Sequence, residues 1–216
     1  MGEPFSIGSA LERLVPGRPL TIVDADEVVL RFVGGFDRFL RARSLYLDLV
    51  SYRLHGNVRR SDDRSVLLDV EVTALLEDFR RDLDSLEPVE GAVEALTEIG
   101  ERTDVVVLSN ITSSQALARR RNLVTCGLRY PLVCNSGPKG PAVRELCVRA
   151  GSTFFIDDIG PHLASVAACA PAVFRIHLVG DDRLKAILPE CEQAHLRADD
   201  WPAAKDFILR KLDGAG

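Results

Sequence analysis

The sequence predicts an α/β fold, a parallel sheet with helices on both faces, interrupted after its first strand by a helical insertion. Two patterns predict it. From residue 88 onward, short β-branched apolar runs alternate with stretches of helical length and periodicity. One further apolar run, Leu20 to Val23, stands alone near the N-terminus and is followed by some 60 residues of a different character.

The first strand is read from "TIVDADEVVL" at 21–30. It ends in two carboxylates, Asp24 and Asp26. Residues two apart on a strand point to the same side, so the two acids converge on one small volume. Like charges that close repel unless a cation or a shared proton lies between them. The stretch therefore points to a metal or to a chemical task.

Residues 31–87 carry helical periodicity in "FDRFLRARSLYLDLV" and "VEVTALLEDFRRDLDSL", with no convincing strand pair. Between them lies the polar, basic "SYRLHGNVRRSDD". This gives a core formed by 1–30 and 88–216, and a helical insertion at 31–87.

The core then continues in order. "PVEGAVEALTEIG" is a helix behind Pro88 that stops at Gly100, and "DVVVLSN" is a strand ending in Ser109 and Asn110. "SSQALARRRNL" is a helix capped by Ser113 or Ser114. Its "ARRR" reads as a solvated helix face. "PLVC" is a strand, and "GPKGPAVRELCVRAG" is a loop carrying Lys139 that becomes a helix. "TFFIDD" is a strand ending in Asp157 and Asp158. Helical "HLASVAACA", a strand in "AVFRIHLV" and an amphipathic helix in "DDWPAAKDFILRKL" close the chain.

Composition bounds the function. The 216 residues are 46% apolar, enough for a sizeable core. A net charge of −5 and the lack of a basic stripe disfavour nucleic-acid binding. No apolar run approaches the roughly 20 residues that span a bilayer. The N-terminus lacks the basic flank and apolar stretch of a signal peptide. It begins Met-Gly with Ser6, a weak myristoylation pattern, but Pro4 and the absence of a polybasic patch argue against a lipid anchor. The five cysteines show no CxxC pair, so they read as small buried hydrophobes in a reducing cytoplasm.

Ligands of open α/β sheets bind beyond the carboxyl ends of the strands. There the sequence collects Asp24, Asp26, Ser109, Asn110, Lys139, Asp157 and Asp158. Carboxylates hold Mg²⁺, a lysine and a hydroxyl hold phosphate oxygens, and a carboxylate nucleophile accepts a phosphoryl group.

With "DADEV", "VVVLSN", "GPKGP" and "FFIDD" in this order, residues 20 to 176 resemble the haloacid dehalogenase superfamily, specifically its phosphatases. The resemblance implies a Rossmann-like core, with 31–87 as a helical cap that closes over the site and selects a small-molecule phosphate. It makes Asp24 the nucleophile and Asp26 the proton donor and acceptor, with Ser109 and Lys139 on the phosphoryl oxygens. Mg²⁺ would be held by Asp24, the backbone carbonyl of Asp26, and Asp158, with Asp157 direct or through water. His162 stands where many members have Asp or Asn, either as part of the outer metal shell or as a solvent-facing residue at a helix start.

Substrate contacts are sought in the cap among Tyr46, Tyr52, Arg53, His55, Asn57, Arg59 and Arg60, with Arg53 and His55 as candidates for a remote anionic group. A dehalogenase, a phosphomutase and a silent phosphate-binding protein are the alternatives on the same fold. A signalling receiver domain is shorter, has no cap, and carries its phosphorylated Asp on a later strand.

Overall fold

The computed structural model describes residues 4–81 and 83–214. A short helix α1 (Ile7–Leu11) precedes strand β1 (Leu20–Val23). Then come α2 (Phe32–Arg41), β2 (Leu45–Leu47), β3 (Val58–Arg60) and α3 (Asp69–Phe79). The remaining core follows as α4 (Ala92–Arg102), β4 (Asp104–Ser109), α5 (Ser113–Thr125), β5 (Leu132–Cys134), α6 (Gly140–Leu146), β6 (Thr153–Asp157) and α7 (Gly160–Cys169). β7 (Phe174–Leu178), α8 (Asp182–Lys185), β8 (Leu196–Ala198) and α9 (Trp201–Leu212) complete it.

Six strands form one parallel sheet in the order β5-β4-β1-β6-β7-β8. Strand alternation divides its core in two. Leu20, Ile22, Val106, Leu108 and Phe155 face a cluster shared with Ala10 of α1, Val143 of α6 and Leu163 of α7. Val23, Val105, Val107, Phe154 and Ile156 face the opposite cluster, with Leu96 of α4, Leu123 of α5 and Ile208 of α9. Burial on both faces is why these strands read as unbroken apolar runs. Among the described residues no helix is long and apolar enough to cross a membrane.

The sheet order explains where the polar residues meet. β1 pairs with β4 on one side and β6 on the other, and β4 pairs with β5. The four strands that the sequence marked as ending in polar residues are therefore neighbours.

Several expectations need correction. Residues 31–87 are not wholly helical, because β2 and β3 form an antiparallel pair with Tyr46 opposite Arg59. Strands of three residues are too short to display a period. The connecting loop is held from inside by Asn57, whose Nδ2 donates to the carbonyls of Ser51 (2.7 Å) and Arg53 (2.5 Å). Helix α5 is capped by Thr112 rather than Ser113 or Ser114, and the Thr112 N–H donates to Oε1 of Gln115 (2.9 Å). β8 is a short edge strand and α1 and α8 are single-turn helices, none of which the pattern announced. The five cysteines are free thiols, each half-buried rather than buried.

Gly140 opens α6 directly after Lys139. A Cβ there would lie 2.2 Å from the backbone oxygen of Ser165 in α7. Its N–H donates to Ser165 Oγ at 3.0 Å. The missing side chain lets the two helices touch and fixes the start of α6. Gly140→Ala is expected to destabilise the protein by about 1–3 kcal/mol, since the obstacle is backbone and cannot rotate away. Urea unfolding of the two proteins measures the difference.

Candidate active site

The chain turns back on itself as soon as β1 ends. Asp24 N–H donates to Ile156 O of β6 (2.9 Å), and the carbonyl of Ala25 accepts from both Val29 and Leu30. Glu27 takes a left-handed conformation, φ +61°, within this turn. The turn is pinned from the far end of the sequence by Trp201, whose fully buried indole donates to Val28 O at 2.8 Å.

Asp24, Asp157 and Asp158 each offer an oxygen, and these oxygens lie within 4.8 Å of one another. All three residues are buried. One ammonium serves them. Lys139 Nζ lies 2.6 Å from Asp24 Oδ1 and 2.8 Å from Asp157 Oδ2. Burial alone would favour neutral lysine, but Asp157 and Asp24 together outweigh it and hold the ammonium well above its ordinary range. A single cation cannot satisfy every acid. Burial raises Asp24 to about 6, against the pull of Lys139 and with the push of Asp157 and Asp26. Asp158 is pushed up too, first by burial and then by Asp157 and Asp24.

This donor set fits a divalent cation. It is hard, carboxylate-rich and short of positive charge, and Oδ1 of Asp158 is buried without a hydrogen-bond partner. The oxygens of Asp157 are both engaged, Oδ2 by Lys139 and Oδ1 by the N–H of Ile159 (2.9 Å). Asp158 is held through its backbone, where His177 of β7 places Nε2 at 2.9 Å from the carbonyl oxygen. Its Oδ2 accepts from Tyr52 of the β2–β3 loop at 3.1 Å. Burial, Asp158 and Asp157 raise the Tyr52 phenol far above its usual range, so its hydroxyl is a donor.

Asp24, Asp26, Lys139 and Asp158 line a cavity of about 380 Å³ with Asn110, Arg53, His55, Tyr52 and His162. Ser109 is buried at the end of β4, with its Oγ unpartnered, and does not line the cavity. Asn110 donates to Gly137 O (3.0 Å), and its Nδ2 lies 3.3 Å from Nε2 of His162. His162 is therefore a cavity residue and not a solvent-facing one. Of the other cap candidates, Asn57 serves its own loop, while Arg59 and Arg60 pair with Asp48 (2.6 Å) and Glu71 (2.8 Å). Tyr46 does not reach the cavity. A larger neighbouring cavity, about 670 Å³, shares Asn110 and Arg80 but contains none of these strand-end acids.

The largest departure from expectation is in "ARRR". Arg119 is not solvated but 0% exposed, and its Nη2 lies 2.5 Å from Asp26 Oδ1. Its Nε and Nη1 have no partner. The helical period held the signal, since Arg119 follows Ala116 by three residues and precedes Leu123 by four, and both of those are buried.

No family model matches the sequence, and no curated protein matches it. Solved structures do match its fold. A conserved haloacid dehalogenase-like protein of unknown function from Agrobacterium tumefaciens superposes with a TM-score of 0.62 at 15% identity, over 91% of this chain and 100% of that one. The fold is that of the haloacid dehalogenase-like hydrolases. The magnesium-bound HAD-hydrolase YfnB of Bacillus subtilis gives a TM-score of 0.59 at 13% identity, over 90% and 99% of the two chains. An L-2-haloacid dehalogenase gives 0.59 at 11%, over 89% and 100%.

Two ionisable contacts at this site can be tested. Removing Asp26 strands a buried guanidinium, whereas replacing Arg119 by an apolar residue of similar length leaves only a partly exposed carboxylate. Asp26→Ala is expected to lose about 3 kcal/mol, Arg119→Met distinctly less, and the double variant to recover most of the loss. Equal stability of Asp26→Ala and wild type in urea unfolding would contradict this.

Glu27 gives the second. Its buried carboxyl accepts from Val33 N–H, and burial, with Asp181 and Asp26, raises it from 4.5 to about 8. Between those values the folded chain keeps a proton that the unfolded chain has lost. The Glu27 contribution to stability is therefore full below pH 4.5 and is lost as pH rises through 8. In chelator, Glu27→Gln is expected to flatten the fall of stability across that window, measured as denaturation midpoint against pH.

Proposed function

We propose that this protein hydrolyses a small phosphate monoester through an aspartyl-phosphate on Asp24. The observation that carries the reading is the buried triad Asp24, Asp157 and Asp158 around the Lys139 ammonium, with Asp24, Lys139 and Asp158 lining a small cavity.

The carboxylate of Asp24 attacks phosphorus. A bond from Asp24 oxygen to phosphorus forms as the bond to the leaving oxygen breaks. Asp26 gives that oxygen its proton. Water then attacks the phosphorus, Asp26 takes a proton from it, and the bond to Asp24 breaks to release inorganic phosphate. Lys139 orients Asp24 and meets charge on the phosphoryl oxygens, and Asn110 donates to the same oxygens. Mg²⁺, held by Asp24, the backbone carbonyl of Asp26 and Asp158, with Asp157 direct or through water, would neutralise phosphoryl charge and offset repulsion among the acids. Arg119 fixes the direction of Asp26. Arg53 and His55 face the non-reacting end of the substrate.

One observation favours a second reading. A halide leaves without a proton, so dehalogenation asks only for an anionic Asp26 to serve the hydrolytic water. An arginine binds that form. Asp24 would displace halide from carbon, and water would then cleave the ester.

Release of phosphate and of halide from panels of small phosphate esters and haloacids separates the readings. Phosphate release that requires Mg²⁺ and falls by about three orders of magnitude in Asp24→Asn is expected. Halide release without phosphate release would replace the first reading with the second.

A further inference from the structure

The roof of the cavity differs from its floor. Arg53, in the β2–β3 loop, and Arg80, just past α3, both line it. Neither guanidinium has a carboxylate or a hydrogen-bond acceptor among the described residues. Other arginines of the segment are paired. Arg43, Arg59 and Arg60 pair there with Asp78 (3.3 Å), Asp48 (2.6 Å) and Glu71 (2.8 Å). Arg80 lies 5.8 Å from the ring centre of Phe32, a cation–π contact that leaves its N–H groups available. The lining also includes an apolar belt of Phe32, Val33, Leu54, Leu76 and Ile159.

A ligand here meets three kinds of lining. The floor handles one phosphoryl group, the belt offers only apolar contact, and the roof holds two planar cations. A guanidinium with free N–H groups beside an apolar wall is satisfied best by an oxyanion that it can grip with two bonds. A cavity of about 380 Å³ accommodates a body the size of one aromatic ring with a group at each end.

Resting on the phosphomonoester reading, we propose that the substrate carries a second oxyanion, a carboxylate or another phosphate, across a short apolar body from the phosphoryl group that reacts. Arg53 and Arg80 bind that second group. Both are exposed, so replacing them leaves the core intact.

The test separates binding from turnover. In Mg²⁺, calorimetry compares 4-carboxybenzylphosphonate with its neutral amide, 4-carbamoylbenzylphosphonate, neither of which can be hydrolysed. The carboxylate is expected to bind wild type about 10- to 100-fold more tightly, and this ratio to fall toward one in Arg53→Gln/Arg80→Gln. In turnover, 4-carboxyphenyl phosphate and 1,4-phenylene bisphosphate should exceed 4-carbamoylphenyl phosphate in kcat/KM by a similar factor, and the better of the two identifies the second group. Equal binding of the two phosphonates, or no binding of either, overturns the inference. So does a ratio unchanged in the double variant. Absence of phosphate release from all three esters counts against the hydrolase reading alone, because the binding ratio is read without hydrolysis.

Discussion

The site is organised by one buried ammonium shared between two carboxylates. Lys139 joins Asp24 on β1 to Asp157 on β6, within 2.6 and 2.8 Å. Burying such a group is favourable only when geometry is close and the partners are held in place. The sheet supplies the geometry, since β1 and β6 are adjacent and in parallel register from Leu20 opposite Thr153 to Val23 opposite Ile156. The helix behind Lys139 supplies the rest, because Gly140 lets α6 lie directly on α7. Asp158, which Lys139 does not pair with, is what leaves the cluster short of positive charge.

Around that pair, contacts from distant parts of the chain remove freedom from the loops at the strand ends. Trp201 of α9 holds Val28, His177 of β7 meets the carbonyl of Asp158, and Tyr52 of the inserted segment donates to the carboxylate of Asp158. The last two converge on Asp158 after β6 and the first on the turn after β1, so the ends of these two strands are fixed separately. Rigid elements beneath and polar contacts above are the usual means of holding catalytic groups to their working geometry.

Much of this was legible in the sequence. Strands buried on both faces appear as plain apolar runs, so their polar ends stand out, and Asp24, Asp26, Asn110, Lys139 and Asp158 meet in one cavity. What was hidden lacked either length or contrast. β2 and β3 are too short to show a period. Arg119 was masked by Arg120 and Arg121, because a run of like charges reads as surface even when one of them falls on the buried stripe. Trp201 was read only as part of an amphipathic helix. Its role depends on a partner 173 residues away, and no local pattern encodes such a distance.

The contact between Arg119 and Asp26 also bears on how the sequence can change over time. A partly exposed acid with no buried partner can be replaced at little cost to the fold. Here its disappearance alone would leave a charge enclosed by α5 and the core with nothing to answer it. Positions 26 and 119 are thereby coupled as an inherited unit. A change at 26 is best tolerated alongside one at 119, and the order matters, because giving up the arginine first is the milder path.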